Sequence, residues 1–145
     1  MATVNVYLTF NGQCEEAFNF YKSVFGGEFC YMGKFGDMPP QEGMPPLSEE
    51  DKKRVLHIGL PISAETFLFG CDNMQVNEKN TNFGNNFSIT ITPDSKEDAD
   101  RFFNELSAGG QVWSPMEVMF WGDYFGAFTD KFGINWYVCY EPKQS

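Results

Sequence analysis

Histidine is almost missing from this chain: among 145 residues there is one, His57. A metal site built from several imidazoles is therefore excluded. Basic residues are also few, 10 Lys and Arg against 20 Asp and Glu, and they are scattered along a chain of formal charge −10. Affinity for nucleic acid depends on Lys and Arg displacing counterions from phosphates, so that class of partner is excluded as well. Cys14, Cys30, Cys71 and Cys139 form no CxxC pair and no tight cluster. No apolar run approaches membrane-spanning length, and the opening MATVNVYLTF lacks the basic start and long apolar core of a signal peptide. The expectation is a cytoplasmic protein with free thiols and no membrane partner.

Aromatic residues, in contrast, are abundant: 17% of the chain, including 16 Phe, within 42% hydrophobic residues. Such a composition offsets the entropy of ordering, and the length suits one globular domain rather than two with independent cores. Much of the aromatic surface must be inside or lining a cavity.

The order of elements repeats. Val4, Val6, Leu8 and Phe10 alternate with Asn5, Tyr7 and Thr9, which predicts a strand with two different faces. Cys14, Ala17, Tyr21 and Val24 then fall at helical spacing, and Gly26-Gly27 stops the helix. A second strand is expected over 28–35, followed by a long connection, 36–54, with prolines 39, 40, 45 and 46. Within it, Ser48 and Asp51 can start one helical turn. Strands at 55–60 and 66–71 make a hairpin, and a stretch holding six asparagines, 72–86, reads as a linker. The order then restarts. Phe87, Ile89 and Ile91 alternate with Ser88, Thr90 and Thr92. Ser95 heads a capping signal, Ala99, Phe102, Phe103 and Leu106 give a helical stripe, and Gly109-Gly110 ends it. Two aromatic runs, 124–128 and 135–140, flank the turn of Asp130, Lys131 and Gly133 as a closing hairpin. Glu15-Glu16-Ala17 with Phe20-Tyr21 matches Glu97-Asp98-Ala99 with Phe102-Phe103 at a constant offset. The reading is two βαβββ modules, 1–78 and 79–145, in a single domain of class α+β.

His57 lies on a strand between Leu56 and Ile58, which point the other way, and so shares a face with Val55 and Gly59. It is either a hydrogen-bonded structural histidine or the general base or polar anchor of a ligand pocket. Trp113, Trp121, Tyr124, Tyr137 and Phe69 are either ordinary core or, as a group, the wall of a pocket for a flat or apolar small molecule. Cys139 shares the parity of Tyr137, but no cation or helix end activates its thiol. Asp123 and Asp130 read as structural, Asp130 through the local backbone bonds of a turn.

The segments EEAFNFYKSVFGGEF (15–29), RVLHIGLPI (54–62) and WGDYFGAFTDKFGINWYV (121–138) resemble the vicinal oxygen chelate superfamily of glyoxalases, bleomycin-resistance proteins and dioxygenases, in particular its PhnB-like group. The resemblance implies that the modules form one cupped mixed sheet of about eight strands, helices on its convex side. It also implies a homodimer. Metal-dependent members carry His or Glu on the first and last strands of each module. Alignment on the helix and the Gly133 turn places Asn5 (or Val6), Phe69, Ser88 and Tyr137 there, none of them a good divalent-metal ligand. No metal and no cofactor is therefore expected, and the ligand-binding set is Asn5, Tyr7, His57, Phe69, Ser88, Trp121, Tyr124 and Tyr137. PhnB-like proteins are often labelled demethylubiquinone methyltransferases, yet the chain has no glycine-rich strand-to-helix motif of the Rossmann type. The leading expectation is a metal-independent small-molecule binder. The alternative is a lyase, isomerase or dioxygenase using a metal or His57. A third reading gives the dimer surface and the proline-rich loop the main role.

Overall fold

A computed structural model of the chain describes residues 2–39 and 42–142; Pro40 of the proline-rich connection lies outside them. The fold is α+β and divides into two compact units, 1–82 and 83–145.

In the first unit, β1 (Val6–Phe10) leads to α1 (Cys14–Phe25), β2 (Tyr31–Lys34), the short helix α2 (Glu49–Lys53), and the hairpin β3 (Val55–Pro61) and β4 (Phe67–Asp72). In the second, β5 (Ile89–Ile91) leads to α3 (Lys96–Ser107), β6 (Gln111–Val118), β7 (Tyr124–Thr129) and β8 (Asn135–Tyr140). The strands form two four-stranded mixed sheets of order β1-β4-β3-β2 and β5-β8-β7-β6, the same topology twice. The outer pairs β1–β4 and β5–β8 are parallel and the rest antiparallel. Both long helices have 12 residues, and both of their ends are related by the offset that the sequence repeat shows. The stretch read as a linker contains a 3-10 helix, Gln75–Asn80.

Each helix packs on one face of its own sheet. Ala17, Phe18, Tyr21 and Val24 of α1 are buried together with Leu8, Phe10, Ile58, Leu60 and Leu68. The ring of Phe18 lies so close to Gly70 that a Cβ there would sit 2.6 Å from it. In the second unit Ala99, Phe103 and Leu106 are buried with Phe128, Trp136 and Val138, and Phe103 meets Phe128 edge to face at 5.2 Å.

The two helix starts are satisfied differently. Ser95 caps α3 through its hydroxyl, which accepts from the Asp98 amide at 3.0 Å. Ser48 caps α2 in the same way. Before α1 stands Gln13, whose side chain makes no cap. Instead Asp72, at the far end of β4, accepts from the Gly12 and Cys14 amides at 2.8 and 3.0 Å. A carboxylate at a helix N-terminus also meets the positive end of the helix dipole. At the other end of α1, Gly26 donates its amide to the Lys22 carbonyl and has φ +81°, a conformation open to glycine, so the helix stops at the double glycine.

Two expectations about faces do not hold. Val4 and Phe87, expected on the apolar faces of alternating strands, precede β1 and β5 and are exposed. Val55 is fully buried, because a register shift between Gly33 and Lys34 leaves Leu56 as an extra residue and resets the alternation below His57.

All four cysteines are free. Cys14 is fully buried at the first position of α1, and burial, with Asp72 acting in the same direction, pushes its thiol well above the ordinary 9.0. Its folded pKa exceeds its unfolded one, so its contribution to stability is complete below pH 9 and declines as pH rises. Urea unfolding above pH 9 is expected to show Cys14 alone costing ~1.4 kcal/mol per pH unit. Cys14→Ala should remove that part of the slope; an unchanged slope would show that the thiol ionises freely in the fold.

Candidate functional site

The face of the first sheet turned away from α1 follows from strand pairing. Tyr7 of β1 pairs with Phe69 of β4, and Thr9 with Cys71. Phe69 pairs with Gly59 of β3, while Gly33 of β2 pairs with His57 and Tyr31 with Gly59. Directly paired residues share a face, so Tyr7, His57, Phe69 and Tyr31 are brought together. The Tyr7 hydroxyl lies 3.0 Å from His57 Nδ1. The two rings are stacked with centroids 5.6 Å apart and 22° between planes. On its other sides the imidazole is stacked on Phe69 at 5.7 Å and meets Tyr31, tilted, at 5.3 Å. Phe67 continues the row, parallel to Phe69 at 5.5 Å.

Two glycines make room for this row. A Cβ on Gly59 would lie 2.8 Å from Cys30 Sγ and 3.1 Å from the Phe69 ring, and one on Gly33 would lie 2.9 Å from the Tyr31 hydroxyl. Tyr7 and Tyr31 remain about half exposed, 52% each, so the row is a surface on which a further ring can be laid. Burial, with Cys71 as the next cause, pushes the Tyr7 hydroxyl up to about 12, and it stays protonated under ordinary conditions.

Asn5 is not in this group: its side-chain oxygen accepts from the Phe67 amide at 3.0 Å and so holds the start of β4. Tyr124 is on the helix-covered face of the second sheet. It pairs with Tyr140, donates to Asp100 of α3 at 2.6 Å, and carries Lys96 over its ring. The bond to Asp100 pushes its hydroxyl pKa up. Trp121 belongs to the turn before β7, donates its indole N–H to Asp123 at 3.0 Å, and is more than half exposed. Ser88 and Tyr137 do come together. They line a concavity of about 300 Å³ in the second unit with Trp113, Phe125 and Asn135, and Phe125 meets Tyr137 edge to face at 5.2 Å. Tyr31, Phe125 and Asn135 escaped the sequence reading. Tyr31 alternates with Gly33 in β2, a usable sign, and Phe125 has the parity opposite to Tyr124.

A larger concavity, about 490 Å³, lies under the proline-rich connection between Phe35, Met38, Met44, Pro45, Leu47 and Lys52. It has none of the hydrogen-bonding groups of the His57 face.

The four positions aligned with metal ligands do not fit a divalent ion. The Asn5 oxygen is engaged, Phe69 offers only carbon, and Ser88 and Tyr137 supply hydroxyls without charge. A different cluster, absent from the sequence reading, gathers Asp123, Cys139 and Glu141 with ligand atoms within 4.8 Å of one another. There the Cys139 thiol faces Asp123 at 3.7 Å; burial, then the Asp123 charge, pushes its pKa up, which opposes thiolate formation.

A family model described as 3-demethylubiquinone-9 3-methyltransferase matches residues 2–139. The solved structure of protein PA1353 from Pseudomonas aeruginosa is 33% identical, with 99% of this chain and 100% of that one covered and a TM-score of 0.81. A PhnB protein from Bacillus cereus is 23% identical over 96% of this chain and 99% of its own, with a TM-score of 0.76. A glyoxalase-related enzyme from Fulvimarina pelagi has the same fold at 16% identity, covering 98% of this chain and 90% of its own, with a TM-score of 0.62.

Proposed function

The chain belongs to the family described as 3-demethylubiquinone-9 3-methyltransferase, a PhnB-like branch of the vicinal oxygen chelate superfamily, and from that premise we propose that it binds a small, flat aromatic or apolar molecule without a metal. The observation that supports this reading is the row of Tyr7, His57, Phe69 and Tyr31 on one sheet face, half open to solvent. Rings prefer offset or edge-to-face neighbours, and a ligand completes the row at its open side. Ser88 and Tyr137 offer similar chemistry in the second unit, where a ligand is the second expectation.

A Rossmann-type methyltransferase holds its donor at a glycine-rich strand-to-helix turn, and the start of the chain does not have that motif. The turn from β1 into α1 reads Asn11-Gly12-Gln13, and Asp72 takes the Gly12 amide and that of Cys14, the first residue of α1. The anion-binding end of the helix is thus filled by the protein itself.

Calorimetric titration of chelator-treated protein with 2-ethylnaphthalene tests the proposal. Saturable binding is expected, unchanged by chelation. Phe69→Ala should weaken it about tenfold through lost stacking and burial. No binding, or binding that needs added divalent ion, would favour the metal-dependent enzyme, for which the Asp123, Cys139 and Glu141 cluster is the observation to pursue.

The homodimer, the cytoplasmic placement and the single-domain reading belong to the same proposal. The dimer is supported by Trp113, Val118, Phe120 and Trp121, all exposed on or beside the edge strand β6. Sedimentation at twice the chain mass is expected, with Phe120→Ser shifting the equilibrium toward the monomer. Among the described residues no helix is long and apolar enough to cross a membrane.

A further inference from the structure

We infer that the molecule bound on the His57 face presents an oxygen acceptor, near the plane of its ring, to the Nε2–H of His57. This rests on the binding reading above and names its ligand class: planar aromatics bearing a carbonyl or phenolate oxygen.

Tyr7 decides which nitrogen of His57 carries the proton. Its hydroxyl lies 3.0 Å from His57 Nδ1. A neutral imidazole has one N–H and one lone pair, and a phenol is a far better proton donor than a neutral imidazole N–H. The phenol therefore donates and Nδ1 accepts, which places the imidazole proton on Nε2. Tyr7 keeps its proton because burial and Cys71 push its pKa up to about 12.

Nε2 has no hydrogen-bond partner among the described residues and is not sealed from solvent. It is a donor fixed in direction by Tyr7, framed by Phe69 and Tyr31, and left for a ligand. At the paired position Gly33 has no side chain, and the space above it is taken by the Tyr31 ring, whose hydroxyl would lie 2.9 Å from a Cβ there, so Tyr31 walls the donor on that side. A ligand offering an N–H here would meet a second donor and be rejected, since a buried donor left unpaired is costly. A hydrocarbon would gain stacking and leave Nε2–H without a partner.

The test compares two probes of matched shape, 2-acetylnaphthalene and 2-ethylnaphthalene, titrated into chelator-treated protein at pH 8.5. Long-range proton–nitrogen correlation spectra of the imidazole are unambiguous, because His57 is the only histidine in the sequence. The expected spectrum shows Nε2 protonated and Nδ1 accepting, and the ketone should bind about fivefold tighter than the hydrocarbon. His57→Phe should equalise the two probes. Tyr7→Phe, which keeps the ring, should mix the tautomers and shrink the preference. Equal affinities with both probes bound, or an Nδ1–H tautomer, would overturn the acceptor inference and leave the binding reading standing. If neither probe binds, the binding reading falls and the inference with it.

Discussion

Replacing Asp72 by Ala is expected to destabilise the fold by about 3–5 kcal/mol, a large share of the 5–15 typical of a domain. The carboxylate is 2% exposed and accepts three backbone amides, Gly12, Cys14 and, at 2.9 Å, Val55. Each is a charge-assisted bond, and removing the acceptor strands three donors. Together they fasten the start of α1 and the start of β3 to the end of β4. Neighbouring Arg54, 7% exposed, depends on the same corner. It donates to the Asn73 carbonyl at 2.8 Å and to Glu78 at 2.6 Å, while its Nε has only a 3.6 Å ion pair with Glu50. Asp72→Asn should cost less, about 2 kcal/mol, because one oxygen still accepts while the amide nitrogen opposes an N–H. Urea unfolding with an unchanged m-value measures both. A loss below 1 kcal/mol for the Ala variant would mean that water or another group replaces the carboxylate at little cost.

The second large effect is expected at Gly110, at the start of β6. A Cβ there would overlap the Thr129 carbonyl oxygen and come within 2.8 Å of the Asp130 carbonyl carbon. These are backbone atoms and cannot turn aside. They are also held from behind: Asp130 accepts from the Phe132 and Ile134 amides and from the buried Trp136 indole at 2.8 Å. Gly110→Ala is therefore expected to cost about 2–4 kcal/mol by forcing β6 away from β7. Gly109→Ala, at φ +78° with only the flexible Lys131 side chain within reach, should cost less, about 1 kcal/mol of backbone strain. Thermal unfolding of the pair checks the order, and the reverse order would remove the close approach as the cause.

The repeat was legible because its signals are local. Helical spacing, Ser95 before α3 and the double glycines each depend on a few neighbouring residues: α3 begins right after Ser95, and both helices end just before their double glycines. The grouping of Tyr7, His57 and Phe69 followed from alternation, which strand pairing preserves. Alternation by itself gives two faces without saying which is covered. That is why Tyr124 was assigned to the open face: its phase is set by Gly126, which lies against Phe103 of α3, and by the Tyr124–Tyr140 pairing. Trp121 failed for another reason, since β7 begins three residues later. Asp72 left no local sign at all. The residues whose amides it accepts are 17, 58 and 60 positions away, and only the folded chain shows that it replaces the missing cap of α1.

The most direct measurement is the proton spectrum of the His57 ring during titration of chelator-treated protein with 2-acetylnaphthalene. A ligand laid against the aromatic row is predicted to shift the imidazole carbon-bound protons through its ring current, saturating with the affinity found by calorimetry. Saturable binding that leaves the His57 protons unmoved, or movement that appears only after a divalent ion is added, would contradict the account.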